Sequence, residues 1–404
     1  MKRNICITVD YFPVQGGAQS IINEICKVLE QKYEIHMLAI TPPLFTSPYK
    51  IHKISTWRRG GRGLWCSPFF FPFNLLYILA GLLNLLNLNK KYQFKYVFPQ
   101  DGVFTAFYSA IFSKLTGVKS IIMDYGVTTN YLSDTYWESA KRYRKHPRLF
   151  ALENFILRKL ALIAMKISAR VSMALMVTGQ ELEVIYRHVL KVPSEKLRKY
   201  VYCVDTDKFK PLSEEEVLKE RKKFGIPEKS ILVGSVSRLA PEKGLEYLLP
   251  ALKRAVKEIG KIKVLIVGGG PLYDYVRSFI QENSLENDIL ILGEVDRNEV
   301  HKIFQILDIF IYAGISGSNV SLAVLEAMSS GCAVIATNSP RYHEELLDGK
   351  NGFVIPTKDS DSIYLALKRL CENPHLLKAV KAKARETILK RHSIEAMRDC
   401  LKDL

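Results

Sequence analysis

The second half of the chain alternates short apolar runs with stretches of helical spacing. The runs are Ile231–Ser235, Val264–Val267, Ile289–Leu292, Ile309–Ala313 and Ala333–Thr337. Helices are expected from Gly244, Leu272, Glu299 and Ser321 between them. Runs this short and this apolar, separated by helices of a few turns, predict strands buried on both faces of a parallel sheet. Such a sheet carries helices on both sides and offers ligands the carboxyl ends of its strands.

The first half repeats the pattern. Ile5–Val9 reads as a strand leading into the loop PVQGGAQ. Residues 18–30 have helical spacing, with Ile21, Ile22, Ile25 and Leu29 on one side. Ile35–Ile40, Tyr96–Phe98, Ser120–Met123 and Val171–Val177 read as further strands, and Arg148–Ile167 as a basic amphipathic helix. Val201–Phe209 joins the halves and precedes the helix-prone SEEEVLKERKKFG. The 404 residues are enough for two cores. The expected fold is α/β, with two Rossmann-like doubly wound domains facing across a cleft: residues 1–204 and 205–385. Residues 386–404 are expected to form a C-terminal helix able to pack back on the first domain.

Charge is unevenly divided. The net charge is +17, but residues 1–204 hold 28 Lys and Arg against 12 Asp and Glu, while residues 205–404 hold 30 against 29. A one-sided basic surface attracts a polyanion or an anionic membrane, or is simply solvated. The seven cysteines include no C-x-x-C pair, which fits packing roles in a reducing compartment. The apolar run after MKRN stops at Asp10, too short for the core of a signal peptide. Residues 64–88 approach the length of a membrane span. Pro68 and Pro72 break the start, however, and Asn74, Asn84 and Asn87 polarise the rest. An interfacial or core amphipathic helix is expected there.

Two segments carry chemistry. In SVSRLAPEKGLEYLL, residues 235–249, a strand ends and a loop presents Arg238 and Lys243 just before a helix. Two cations beside a helix N-terminus suit a diphosphate, although two loop cations are also compatible with plain solvent exposure. In SGSNVSLAVLEAMSSGCAVIAT, residues 316–337, small residues lead into a helix containing Glu326. Small residues at a helix start leave backbone N–H groups open to phosphate oxygens. Glu326 can accept hydrogen bonds from ribose hydroxyls, or be a carboxylate on the helix surface.

Together these segments resemble the donor-binding region of glycosyltransferase family 4, whose members have the GT-B fold, retain anomeric configuration and use nucleotide sugars. Further segments match in order: PVQGGAQ, the linker VDTDKF (204–209), VLIVGGGP (264–271) and ILGEV (291–295). The resemblance is most specific over residues 231–357. It implies that Arg238 and Lys243 grip the donor diphosphate and stabilise it as it departs. It implies that Glu326 holds the ribose and that backbone near Glu294 and Val295 meets the base. The backbone amides of Asn319, Val320 and Ser321 would complete a phosphate cradle, and Gly16 and Gly17 would bring N-terminal backbone close to the phosphates. No cofactor and no metal is implied; the donor is a UDP- or GDP-linked sugar.

Two positions depart from the family pattern. Ser318 stands where a sugar-contacting Glu is usual, eight residues before Glu326. After the strand Ser120–Met123 the family often has a His; here Asp124 or Tyr125 fills that place. Other patterns are expected to carry no chemistry: Asp205-Thr206-Asp207 falls on the linker, Gly268-Gly269-Gly270 lacks dinucleotide spacing, and His343-Glu344-Glu345 has no second His at zinc spacing.

The resemblance gives the acceptor to the N-terminal domain. RRGGR (58–62), KRYRKHPR (141–148) and the apolar stretch 69–88 lie there. Basic clusters beside apolar helices favour an anionic membrane surface and a lipid-linked acceptor, with a soluble polysaccharide or small sugar as rival. No nucleic-acid module is recognised. The expected location is the cytoplasm, peripheral on the inner face of the cell membrane. Competing readings are an epimerase or phosphorylase of the same fold, and a non-catalytic relative that binds donor or membrane.

Overall fold

The computed structural model describes residues 2–9, 17–39, 48–54, 71–100, 103–124, 147–315, 321–338 and 345–402. It divides into two compact units: Met1–Val201 together with Arg398–Leu404, and Tyr202–Met397.

In the first unit β1 (Arg3–Val9) is followed by α1 (Gly17–Leu29), β2 (Tyr33–Ala39), β3 (Lys50–Lys53), α2 (Phe71–Tyr92), β4 (Tyr96–Pro99) and α3 (Phe104–Thr116). Then come β5 (Lys119–Asp124), α4 (Pro147–Val171), β6 (Ala174–Val177), α5 (Gly179–Val184), a π-helical turn (Ile185–Val189) and β7 (Leu197–Lys199). The strands form one sheet in the order β3-β2-β1-β4-β5-β6-β7, and every pairing is parallel. Ile5 to Val9 are all buried, as expected of a strand covered on both faces. On one face Cys6, Leu38 and Val97 pack with Tyr77 and Leu85 of α2 and with Tyr108 and Phe112 of α3.

The expected strand Val171–Val177 starts later than the apolar run. Val171 ends α4, and Ser172 extends the helical bonding by donating from both N–H and Oγ to Ser168 O. The first bond to the sheet is Met173 N–H to Ser120 O. Residues 71–92 form the helix expected within the apolar stretch, and Pro72 sits harmlessly in its first turn. Tyr77, Gly81 and Leu85 are buried at helical spacing, while Leu75, Leu76, Leu79 and Leu83 are exposed. Among the described residues no helix is long and apolar enough to cross a membrane.

In the second unit α6 (Glu214–Lys222) leads to β8 (Ile231–Val236), α7 (Leu245–Ile259), β9 (Ile262–Val267), α8 (Tyr273–Glu282), β10 (Ile289–Gly293), α9 (Val300–Ile306) and β11 (Ile309–Tyr312). It continues through α10 (Leu322–Ser329), β12 (Ala333–Thr337), β13 (Phe353–Ile355), α11 (Ser360–Cys371), α12 (Pro374–Arg391) and α13 (Ile394–Leu401), the last of which crosses into the residues grouped with the first unit. Ser213 and Glu216 form a reciprocal capping box at the start of α6. The sheet order is β10-β9-β8-β11-β12-β13, all parallel. The chain therefore winds outward from β8 in one direction and from β11 in the other. The winding direction thus switches between β8 and β11, and open α/β sheets bind ligands beyond the carboxyl ends of strands at such a point.

The linker is held by side chains of the second unit. Arg385 Nη1 donates to Phe209 O at 2.8 Å and Arg385 Nη2 to Thr206 O at 3.0 Å. Gln305 Nε2 donates to Lys208 O and Lys210 O. Asp205 accepts the Lys208 N–H at 3.0 Å, so this carboxylate of the D-x-D pattern shapes a turn.

Candidate functional site

The loops at the carboxyl edge of the second sheet are tied together by backbone bonds. Leu239 N–H donates to Gly269 O at 2.8 Å, Leu272 N–H to Leu239 O at 2.9 Å, and Gly268 N–H to Gly293 O at 2.7 Å. The loops after β8, β9 and β10 thus form one platform. Across the switch point, Ile315 N–H donates to Glu242 O at 3.0 Å and joins this platform to the loop after β11.

Arg238 and Lys243 both stand on that platform. Pro241–Lys243 forms a single 3-10 turn, and Gly244 ends it with φ 66° and starts α7. A β-carbon on Gly244 would lie 2.0 Å from Ala313 O, so only glycine lets the turn approach the β11 loop this closely. Gly244 thereby stands at the N-terminus of α7, where the helix dipole favours negative charge. Arg238 is more than half exposed and pairs with Glu242 four residues on. Lys243 Nζ lies 5.4 Å from the centroid of the Tyr312 ring on β11.

Glu326 is not a carboxylate on a helix surface. It lies in α10 between the fully buried Leu325 and Ala327, and its own exposure is 2%. Burial raises its carboxyl above the ordinary carboxylate range, and Arg297 and Lys208 work against that rise. Arg297, in the segment between β10 and α9, donates from Nη1 to Oε2 at 3.0 Å and from Nη2 to Oε1. Sequence alone gives Arg297 no role. Its partner is distant along the chain, and an Arg in a polar loop carries no local signal. Glu294 packs against Gly269 at the end of β10, and Val295 follows in the same loop. Ser321 immediately precedes α10, and its carbonyl accepts the Val324 N–H at 2.9 Å. Ser318, Asn319 and Val320 lie outside the described residues.

In the first unit Asp124 ends β5 and is fully buried. Its Oδ2 accepts the Tyr186 hydroxyl at 2.7 Å, from the π-helical turn that follows α5. Turns of this type recur at functional sites, and nothing in the local sequence around Tyr186 announced this one. Gly17 begins α1. Gly16, Tyr125, RRGGR, His343 and Glu344 lie outside the described residues, as do residues 141–146 of the basic cluster.

Known proteins resemble this chain in sequence over its second half and in fold over its length. Residues 216–387 match the family model of the glycosyl transferases group 1, a segment somewhat shorter than half of the chain. A GDP-mannose-dependent alpha-(1-6)-phosphatidylinositol monomannoside mannosyltransferase from Mycolicibacterium smegmatis is 27% identical over 203 residues, covering 49% of this chain and 53% of that protein. An alpha-monoglucosyldiacylglycerol synthase from Streptococcus pneumoniae is 30% identical over 142 residues, covering 35% of this chain and 32% of that protein. The chain spans about half the length, or less, of these curated relatives. Among solved structures, HepE from Anabaena in complex with UDP superposes with a TM-score of 0.75 at 16% identity, covering 99% of this chain and 98% of that one. Sucrose-phosphate synthase from Thermosynechococcus elongatus gives a TM-score of 0.80 at 15% identity, covering 100% and 98%.

The fold is therefore α/β with two parallel-sheet domains of the GT-B kind. The family match over residues 216–387 and the curated relatives support a glycosyltransferase of group 1.

Proposed function

We propose that the chain is a retaining, metal-independent hexosyltransferase that uses a UDP- or GDP-linked sugar. The observation that carries this reading is the Arg238–Lys243 turn, held by Gly244 against the β11 loop at the N-terminus of α7. Two cations beside the N-terminus of a helix suit a diphosphate, and their attraction grows as negative charge develops on the departing nucleotide. Backbone near Glu294 and Val295 is assigned to the base and Glu326 to the ribose. The small residues Ser318 to Ser321 are assigned to the phosphates and donor sugar, and Gly16 and Gly17 to the diphosphate. Asp124 or Tyr125 is assigned to the reacting sugar. In the retaining course the acceptor attacks on the face that the leaving group departs, and a phosphate oxygen takes the acceptor's proton.

The experiment is transfer and hydrolysis of a panel of UDP- and GDP-sugars by wild type, Arg238→Ala and Lys243→Ala. Loss of turnover and of nucleotide affinity in both variants is expected. Unchanged values in both would remove the diphosphate site and the reading with it.

We assign the acceptor to residues 1–204 and place the protein on an anionic membrane surface, the cytoplasmic face of the cell membrane, in synthesis of a glycolipid or cell-surface polysaccharide. Support comes from α2, α3 and α4, which lie side by side with α3 in the middle. Leu75, Leu79 and Leu83 of α2 and Phe155, Ile163 and Ile167 of α4 are exposed at helical spacing. Lys90, Lys91, Lys159 and Arg170 are also exposed on α2 and α4, and neither α2 nor α3 contains an acidic residue. Apolar stripes with cations at their sides suit an anionic lipid interface.

A further inference from the structure

The side chain of Glu326 is 3% exposed and that of Arg297 is 33% exposed, so the arginine presents the pair to solvent. The contact is a two-pronged fork, one guanidinium nitrogen to each carboxylate oxygen. A fork of this kind fixes the plane of the carboxylate as well as neutralising it. An ionised carboxylate has about four acceptor positions. The fork occupies two of them and leaves the others for hydroxyl donors. Arg297 is itself steadied, with its guanidinium carbon 5.8 Å from the centroid of the Phe209 ring. Phe209 is in turn held through its carbonyl, which accepts from Arg385 and from Ser329 Oγ. The orientation of Glu326 is thus set by a chain of contacts that starts in the linker.

We propose that Arg297 is the positioning residue of the ribose subsite, holding the Glu326 carboxylate in the plane from which it accepts both hydroxyls of the donor ribose. The proposal rests on the assignment of Glu326 to the ribose. A lysine at position 297 would keep the charge but could not make the fork, so charge and orientation are separable.

The test measures affinity for UDP and GDP, and for their dideoxyribo counterparts, in wild type, Glu326→Gln, Arg297→Met and Arg297→Lys. Wild type should prefer the ribonucleotide by about 10- to 100-fold, the worth of hydrogen bonds to a charged group. Arg297→Met should erase most of that preference while leaving dideoxynucleotide affinity at the wild-type value. Arg297→Lys should restore part of it. If Glu326→Gln erases the preference and Arg297→Met does not, the proposal fails and the ribose assignment stands. If Arg297→Met weakens ribo- and dideoxyribonucleotides equally, Arg297 serves the fold alone and the proposal fails. If wild type shows no preference, the ribose assignment itself is lost. Should Arg297→Met not fold, Arg297→Lys decides, because a full wild-type preference there overturns the orientation argument.

Discussion

The hydroxyl of Tyr186 donates to Asp124 Oδ2 across 2.7 Å, joining the end of β5 to a π-helical turn far along the chain. Both residues are essentially buried. Tyr186→Phe keeps the ring and removes the bond. A hydrogen bond to a buried carboxylate is worth about 1.5–3 kcal/mol, so urea unfolding should show a loss of that order. A double-mutant cycle with Asp124→Asn should reveal coupling; strictly additive effects would mean the bond contributes nothing.

Arg221 anchors the second unit in a comparable way. It is 6% exposed, donates to Ile306 O through Nε at 2.9 Å, and pairs with Asp308 Oδ2 at 2.7 Å. Burial raises the Asp308 carboxyl, but Lys381 and Arg221 outweigh this and hold it below its usual range. Arg221→Met should destabilise by about 1–3 kcal/mol, because Asp308 keeps Lys381 while the buried Ile306 carbonyl loses its donor. Arg221→Lys should recover only part, since a single ammonium cannot serve the carbonyl and the carboxylate together. Chemical denaturation of both variants checks this.

Two glycines separate backbone strain from crowding. Gly225 and Gly244 have nearly the same φ, 67° and 66°, but a β-carbon at Gly225 meets nothing within 4 Å. Gly225→Ala should cost about 1–2 kcal/mol, the left-handed penalty alone. Gly244→Ala adds the collision with Ala313 O and moves the start of α7. It should destabilise more and weaken nucleotide binding, as thermal melts with and without UDP or GDP would show.

Acid should destabilise the first unit through His36. Burial, then His52 and Lys50, lower its pKa from 6.5 to about 4. Its Nδ1 lies 3.0 Å from His52 Nε2, with the two ring planes within 4° of each other. The unfolded chain binds the proton more readily than the folded one between these values. Stability is therefore full above pH 6.5 and falls as pH drops towards 4, by about 3 kcal/mol at most. Denaturation at a series of pH values should show a slope that flattens in His36→Phe.

The apolar stripe of α2 gives a prediction about binding rather than folding. Leu79→Glu and Leu83→Glu change side chains that are 50% and 51% exposed, so stability should shift by less than about 0.5 kcal/mol. Co-sedimentation with anionic vesicles should drop, and wild-type binding should be released by high salt. Equal binding to neutral vesicles, or no change in the variants, would remove the membrane assignment.

The long apolar strands were legible because burial on both faces leaves an unbroken run, as in β1, β9 and β12. β3 and β7 were not. Lys50–Lys53 reads KIHK and Leu197–Lys199 reads LRK, and both lie at sheet edges where polar residues suffice. The face of α2 was partly legible, since its asparagines argued against a span, but the inward spacing of Tyr77, Gly81 and Leu85 depends on α3. At the site, Arg238 and Lys243 could be read because their chemistry is local to one loop. The pairing of Glu326 with Arg297 could not, because its two members lie on separate elements, and the Tyr186–Asp124 bond was hidden for the same reason. Pairings between separate loops are fixed only when the sheet brings the loops together.

The last residues have a practical consequence. Arg398–Leu404 belong with the first unit, while Tyr202–Met397 form the second. In chain terms the second unit is an insertion with two junctions, one near residue 202 and one near 397. Exchanging the second unit for that of a relative by recombination therefore calls for a cassette cut at both junctions. A single crossover in the linker would replace the C-terminal tail as well, leaving Lys32, whose Nζ donates to Lys402 O at 2.8 Å, beside a foreign segment.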